Sequence, residues 1–134
     1  MKFTHKAFVR WNDLDAFGHV NNAKYLTYAE SARIDWGQQQ FAQIDNSVLV
    51  QMTVARSEVD YLQPITEFET YYDVDLWVES IGNSSFKMGY EVSKDGVIFT
   101  KMKTVQVMID LITRKSRPLN DAERGFLFKY LVNS

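Results

Sequence analysis

The stretch Val9-Arg10-Trp11-Asn12-Asp13-Leu14-Asp15-Ala16-Phe17-Gly18-His19-Val20-Asn21-Asn22-Ala23-Lys24-Tyr25, continuing Leu26-Thr27-Tyr28-Ala29-Glu30-Ser31-Ala32-Arg33-Ile34-Asp35-Trp36, decides the fold. It begins as an alternating strand, breaks into a short loop holding two aspartates, a glycine, a histidine and paired asparagines, and becomes a helix rich in aromatics and alanine. The chemistry is concentrated in that loop. Asn21 or Asn22 is a good N-cap, and the first backbone N–H groups of the helix that follows lack an intrahelical partner. Together with the helix dipole, those groups suit an anion or a developing oxyanion. Asp15 lies a few residues upstream, and Gly18 between them lets the backbone bend sharply and a ligand come close. A carboxylate near a set of oxyanion donors is the minimum apparatus for attack on a carbonyl.

The run Asp13-x-Asp15-x-x-Gly18-His19-Val20-Asn21-Asn22-x-x-Tyr25, followed by a helix carrying Glu30 and Arg33, resembles the 4-hydroxybenzoyl-CoA thioesterase-like branch of the hotdog-fold acyl-CoA thioesterases. The resemblance extends over nearly the whole chain in length and element order. It implies hydrolysis of acyl-CoA thioesters, with Asp15 as the catalytic carboxylate and the main-chain N–H of Asn22 as the oxyanion donor. Gly18, His19 and Tyr25 occupy motif positions, where His19 and Tyr25 are expected to shape the pocket or orient water. Glu30 and Arg33, three apart on one helical face, either pair with each other or place Glu30 near the site.

Global properties agree with one domain over residues 1–134. A composition with 46% hydrophobic and 14% aromatic residues argues against disorder. The net charge of −2 gives no support for nucleic-acid binding. The absence of cysteine excludes disulfides, thiolate metal sites and a cysteine nucleophile. Neither an apolar signal core at the N-terminus nor an apolar run of roughly 20 residues is present, so no membrane span is expected and the expected location is the cytoplasm.

The remaining elements follow from periodicity. Phe3, His5, Ala7, Val9 and Trp11 alternate with polar residues as a half-buried first strand, with His5 as a rim or packing residue. The helix is expected from Asn22 or Ala23 to about Phe41, with Tyr25, Ala29, Ala32 and Trp36 on its apolar stripe. Asp45-Asn46 signals a turn. Val48, Val50, Met52 and Val54 then hold one strand parity, but Val59 and Tyr61 hold the other. Such a switch predicts a β-bulge within Ala55–Glu58, which makes Ser57 and Glu58 secondary site candidates because bulges recur beside active sites. Tyr72 to Glu79 and Phe86 to Ser93 alternate as a hairpin pair, and a last strand runs from Val97 to about Leu111. Asn120-x-x-Glu123 is a capping box that opens a closing helix carrying Leu127, Tyr130 and Leu131.

Strand, long helix, four antiparallel strands and a short helix make an α+β protein. The resemblance sharpens this to a hotdog fold, an antiparallel sheet wrapped around a long central helix. It further implies a homodimer or homotetramer paired edge to edge, its active site lying between the helix start of one chain and the sheet of another. Asp15 would act as general base on water, or attack directly to form an anhydride. No metal or bound cofactor is needed, since Asp13 and Asp15 supply too few oxygens for a hard ion. One departure concerns coenzyme A: the turn Ile81-Gly82-Asn83-Ser84-Ser85 lacks the basic residues that hold its phosphates in the branch's type member. Arg56, Lys87, Lys101 and Lys103 are the substitute candidates. Other readings are a thioesterase acting on acyl carrier protein, a non-catalytic acyl-thioester binding module, and a hotdog dehydratase using His19.

Overall fold

The computed structural model describes residues 1–41 and 51–132. Strand β1 (Phe3–Val9) leads through a single 3₁₀ turn (Trp11–Asp13) and a short loop into helix α1 (Lys24–Phe41). Strands β2 (Met52–Tyr61), β3 (Thr70–Ile81), β4 (Ser85–Lys94) and β5 (Val97–Met108) follow, and helix α2 (Asp121–Lys129) closes the chain. The five strands form one antiparallel sheet in the order β1-β3-β4-β5-β2, which puts β1 and β2 at the edges. The expected turn at Asp45-Asn46 and the strand positions Val48 and Val50 lie outside the described residues.

The sheet has two chemically different faces because its strands alternate. Tyr72, Val74, Leu76 and Val78 of β3, Phe86, Met88, Tyr90 and Val92 of β4, and Met102 and Met108 of β5 are buried on the inner face. Against them α1 lays Tyr25, Tyr28, Ala29, Ala32 and Trp36, all buried and, apart from the adjacent Tyr28 and Ala29, stepping by three or four residues. Alanine at two of these positions lets the helix axis approach the sheet, and Trp36 fills the space further along. Its ring meets Phe126 at 4.9 Å and Tyr130 at 5.4 Å, so α2 closes the core at the far end of α1. Truncating so large a buried ring would cost about 3–5 kcal/mol. This is the α+β hotdog arrangement, with the central helix held in the curve of the sheet.

The bulge falls where the parity switch placed it: the β2–β5 register shifts between Val54 and Arg56, leaving Ala55 as the extra residue. The capping box of α2 is also present, with the Asn120 side chain accepting the Glu123 N–H and the Glu123 carboxylate accepting the Asn120 N–H. Burial opposes the charge on Glu123, but a two-pronged bond from Arg117 and the Asn120 N–H outweigh it and hold its carboxyl below the usual range.

Two expectations need correction, the end of the last strand and the Glu30–Arg33 pair, while His5 is half-buried at the rim as expected. The last strand stops at Met108, because the Asp110 carboxylate accepts the N–H groups of Ile112 and Thr113 at 2.8 and 3.0 Å and turns the chain. His5 ties β1 to α1, its Nδ1 lying 2.7 Å from the Asp35 carboxylate. Arg33 is buried and donates to the Tyr90 hydroxyl at 3.0 Å, while Glu30 is exposed, so the three-residue spacing does not produce a surface ion pair between them.

Candidate active site

The loop between β1 and α1 is built as a miniature hairpin. Leu14 and Val20 form an antiparallel bridge, and the Asp15 N–H donates to the His19 carbonyl at 2.7 Å. The Gly18 N–H closes a turn on the Asp15 carbonyl at 3.1 Å. Gly18 has φ +76°, in the left-handed region, and a Cβ built there would meet nothing within 4 Å. Glycine is therefore required by the turn's backbone rather than by crowding.

Asp15 is half-buried at the base of this turn. Its Oδ1 accepts the Phe17 N–H at 2.8 Å and the His19 N–H at 3.3 Å, so the carboxylate is fixed by main-chain donors. No bond to Oδ2 is found among the described residues, which leaves that oxygen available to a water or a substrate. His19 takes part through its backbone, and its side chain is exposed.

Asp13, two residues earlier, is only 8% exposed and is held on several sides. Its Oδ2 accepts the Tyr28 hydroxyl at 2.7 Å and the Arg10 N–H at 3.1 Å, while Lys24 Nζ lies 3.8 Å from Oδ1. Its carbonyl accepts the Asn21 N–H at 2.9 Å. Burial, and then the adjoining Asp13 carboxylate, push the Tyr28 hydroxyl far above its ordinary range, so Tyr28 remains a donor. This carboxylate is the fastening between the loop and the helix. Asp13 thus holds the turn to the helix, through a partner, Tyr28, that lies 15 residues away.

The helix start is capped by Asn21, whose side chain accepts the Ala23 N–H at 3.0 Å and whose carbonyl accepts the Lys24 N–H at 2.9 Å. The Asn22 N–H makes no hydrogen bond among the described residues. Tyr25 is buried beneath this turn, its ring edge-on to Tyr28 at 6.1 Å and to Tyr61 at 5.4 Å, and burial raises its hydroxyl above the ordinary value. Tyr61, which periodicity marks only as a strand residue, donates from its hydroxyl to the Asn22 carbonyl at 3.0 Å. No local pattern announces such a contact between residues 39 positions apart.

The loop thus brings Asp15, Gly18, His19, Asn22 and Tyr25 together. Ser57 and Glu58 are elsewhere in the single chain, exposed on β2 and roughly 10–13 Å along the strand from Tyr61. Arg56 pairs with Glu58 at 3.0 Å, and Lys103 with Glu79 at 3.5 Å. Lys101 stands in register between Glu91 and Asp60, while Lys87 faces Ser80 and Val105. An outer-face groove of about 370 Å³ takes in Lys101 and Lys103, but also Glu58, Asp60, Glu79 and Glu91. Its carboxylates outnumber its lysines, a poor match to phosphate. Among the described residues no group of three or more His, Asp or Glu side chains is placed to hold a metal ion, and no helix is long and apolar enough to cross a membrane.

Comparison with known proteins gives this geometry a context. The sequence model of the thioesterase-like superfamily matches residues 9–127. The 1,4-dihydroxy-2-naphthoyl-CoA hydrolase of Nostoc punctiforme is 29% identical over 126 residues, covering 90% of this chain and 83% of that protein. The uncharacterized protein YsmA of Bacillus subtilis is 29% identical over 90 residues, 66% of this chain, and the match spans only 58% of that protein's length. Among solved structures, a predicted thioesterase from Bacillus stearothermophilus superposes with a TM-score of 0.88 at 25% identity, covering 100% of this chain and 99% of that one. A thioesterase from Thermus thermophilus, solved with coenzyme A and zinc, gives a TM-score of 0.81 at 35% identity over 95% of this chain and 92% of that one.

Proposed function

Because the chain belongs to the thioesterase-like superfamily, we propose that it hydrolyses acyl-CoA thioesters to free acid and coenzyme A, using Asp15 as the catalytic carboxylate. The observation that carries this reading is the division of labour within one side chain: Asp15 Oδ1 is fixed by two main-chain N–H groups while Oδ2 has no partner among the described residues. A thioester carbonyl is electrophilic and its thiolate a fair leaving group, so an activated nucleophile and an oxyanion donor suffice for hydrolysis. Oδ2 either takes a proton from the attacking water or adds to the carbonyl to give an anhydride that water then opens. The Asn22 N–H, unpaired among the described residues at the start of α1, is the donor for the oxyanion. The structures and relatives that carry thioesterase or CoA-hydrolase names support the substrate class.

The working unit in this reading is a homodimer or a pair of dimers. β2 is an edge strand of ten residues in which Thr53 to Glu58 are exposed, and so long an edge, paired on one side only among the described residues, is a template for a further strand. Antiparallel pairing of two copies about Ser57 would set Arg56 of each opposite Glu58 of the other and carry Ser57 and Glu58 into an interface. A monomer at micromolar concentration by light scattering would count against the shared site. The carboxylates around Lys101 and Lys103 match the several phosphates of coenzyme A poorly, and the second reading is that the acyl group arrives on an acyl carrier protein, whose pantetheine arm brings a single phosphodiester.

The test is thiol release by the purified chain from hexanoyl-CoA, palmitoyl-CoA and benzoyl-CoA, with the same acyl groups on an acyl carrier protein as the second arm. Turnover of at least one acyl-CoA, unchanged by EDTA, is the expected result. Release from the carrier alone would move the thiol partner to the second reading, and no release in either arm would overturn hydrolysis.

A further inference from the structure

The segment that follows β2 grips the loop at two points. Tyr61, the last residue of β2, pairs with Thr100 of β5, and just beyond it the Leu62 and Gln63 N–H groups both donate to the Phe99 carbonyl at 3.0 and 3.2 Å. From this anchored strand end the Tyr61 hydroxyl reaches the Asn22 carbonyl at 3.0 Å, and four residues later the Ile65 carbonyl accepts the Val20 N–H at 2.9 Å.

The bond to Asn22 has a specific consequence for the helix start. A peptide group is planar, so a bond to its carbonyl also fixes the direction of its N–H. The plane that contains the Asn22 N–H is held through its carbonyl, that of Asn21, by the Lys24 N–H at 2.9 Å. The next plane is held at both ends, its carbonyl by Tyr61 and its N–H, that of Ala23, by the Asn21 side chain at 3.0 Å. Asn22 therefore sits between two fixed planes, and its own N–H, with no partner among the described residues, has a set direction. Tyr61 is 48% exposed at the end of an edge strand, so the hydroxyl adds little to the core. Its ring alone supplies the edge-on contact with Tyr25 at 5.4 Å.

We propose that Tyr61 is a positioning residue for the reaction: its hydroxyl, donating to the Asn22 carbonyl, holds the first turn of α1 so that the Asn22 N–H is preset for the thioester oxyanion. The inference rests on the Asp15 and Asn22 reading given above. It assigns to the end of β2 a role that acts through α1 and not through contact with the acyl group.

Tyr61→Phe removes the hydroxyl and keeps the ring. Losing one hydrogen bond that orients a transition-state donor should lower kcat about 5–20-fold, with KM changed less than about twofold and the melting temperature nearly unchanged. The readout that a structural role would not move is the carbonyl stretch of benzoyl-CoA bound to the Asp15→Asn protein, which falls in frequency as the carbonyl is polarised. Adding Tyr61→Phe in that background should return part of the shift. Unchanged kcat in Tyr61→Phe alongside an inactive Asp15→Asn protein would overturn the role of Tyr61 and leave the parent reading standing. A loss of kcat matched by a lower melting temperature, with the carbonyl stretch unmoved, would overturn it as well. An active Asp15→Asn protein would instead remove the reading on which the inference rests.

Discussion

Asp13 and Asp15 are the same side chain two residues apart on one loop, and the fold treats them in opposite ways. Asp13 is nearly sealed, with Tyr28, the Arg10 N–H and Lys24 around its two oxygens. Asp15 is half-buried, with one oxygen given to main-chain donors and the other without a partner among the described residues. A carboxylate whose oxygens are all engaged stabilises what it touches and cannot readily take a proton or attack. One that is oriented by a single oxygen keeps the basicity of the other. In this contrast the motif's first aspartate builds the loop so that its second can do chemistry.

The largest expected effect separates the two by turnover. Asp15→Asn retains an oxygen that can accept the Phe17 and His19 N–H groups but removes the basic lone pairs, so kcat should fall about 10²–10⁴-fold with little change in thermal unfolding. Asp13→Asn should do the reverse. Its oxygen can keep the Tyr28 and Arg10 bonds, which both fall on Oδ2, but its NH2 then stands at the Oδ1 position facing Lys24, and a buried donor set against a cation costs roughly 1–3 kcal/mol. Denaturant unfolding should register that loss, while turnover falls less than about tenfold. If Asp13→Asn proves more damaging to kcat than Asp15→Asn, the roles are exchanged and the mechanism falls.

Removing the partner sharpens the same comparison on a smaller scale. Tyr28→Phe takes away the hydroxyl that Asp13 accepts at 2.7 Å and should destabilise the chain by about 1–2 kcal/mol. Because the two groups share one bond, the double variant Asp13→Ala, Tyr28→Phe should unfold at less than the summed cost of its two single variants, a coupling of about 0.5–3 kcal/mol. Strict additivity would mean that the buried pair does not hold the loop to the helix.

These roles are legible in the sequence to different depths. The strands, the bulge at Ala55 and the capping box of α2 are readable because each rests on a local rule: alternation, a parity switch, and a polar pair three residues apart. The Asn21 cap is readable as one of two choices. The bond from Tyr28 to Asp13 and the bond from Tyr61 to the Asn22 carbonyl are not, since they join residues 15 and 39 positions apart and depend on how the helix sits in the sheet. The burial of Arg33 is hidden for a related reason: a helical spacing shows which residues share a face, but not what the sheet offers beneath it. The cations for phosphate are the least legible, because a lysine's position along a strand does not disclose that carboxylates on neighbouring strands stand beside it.

The smallest expected effect tests why a glycine separates the two halves of the loop. At φ +76° with open space around its missing Cβ, Gly18 is constrained by backbone conformation alone. An alanine there should cost about 1 kcal/mol, whereas asparagine, which tolerates the left-handed region better, should cost less. Turnover should follow stability, because straining the turn loosens the His19 N–H from Asp15 Oδ1 without touching Oδ2. The competing reason for a glycine is close approach of the substrate, and it predicts a different order: asparagine, the larger side chain, would then lose more kcat than alanine even while remaining the more stable. Unfolding and kcat measured for Gly18→Ala and Gly18→Asn therefore separate the two reasons. A variant pair in which asparagine is more stable but less active would mean that the turn also forms part of the substrate's wall, and Gly18 would join Asp15 on the chemical side of the loop.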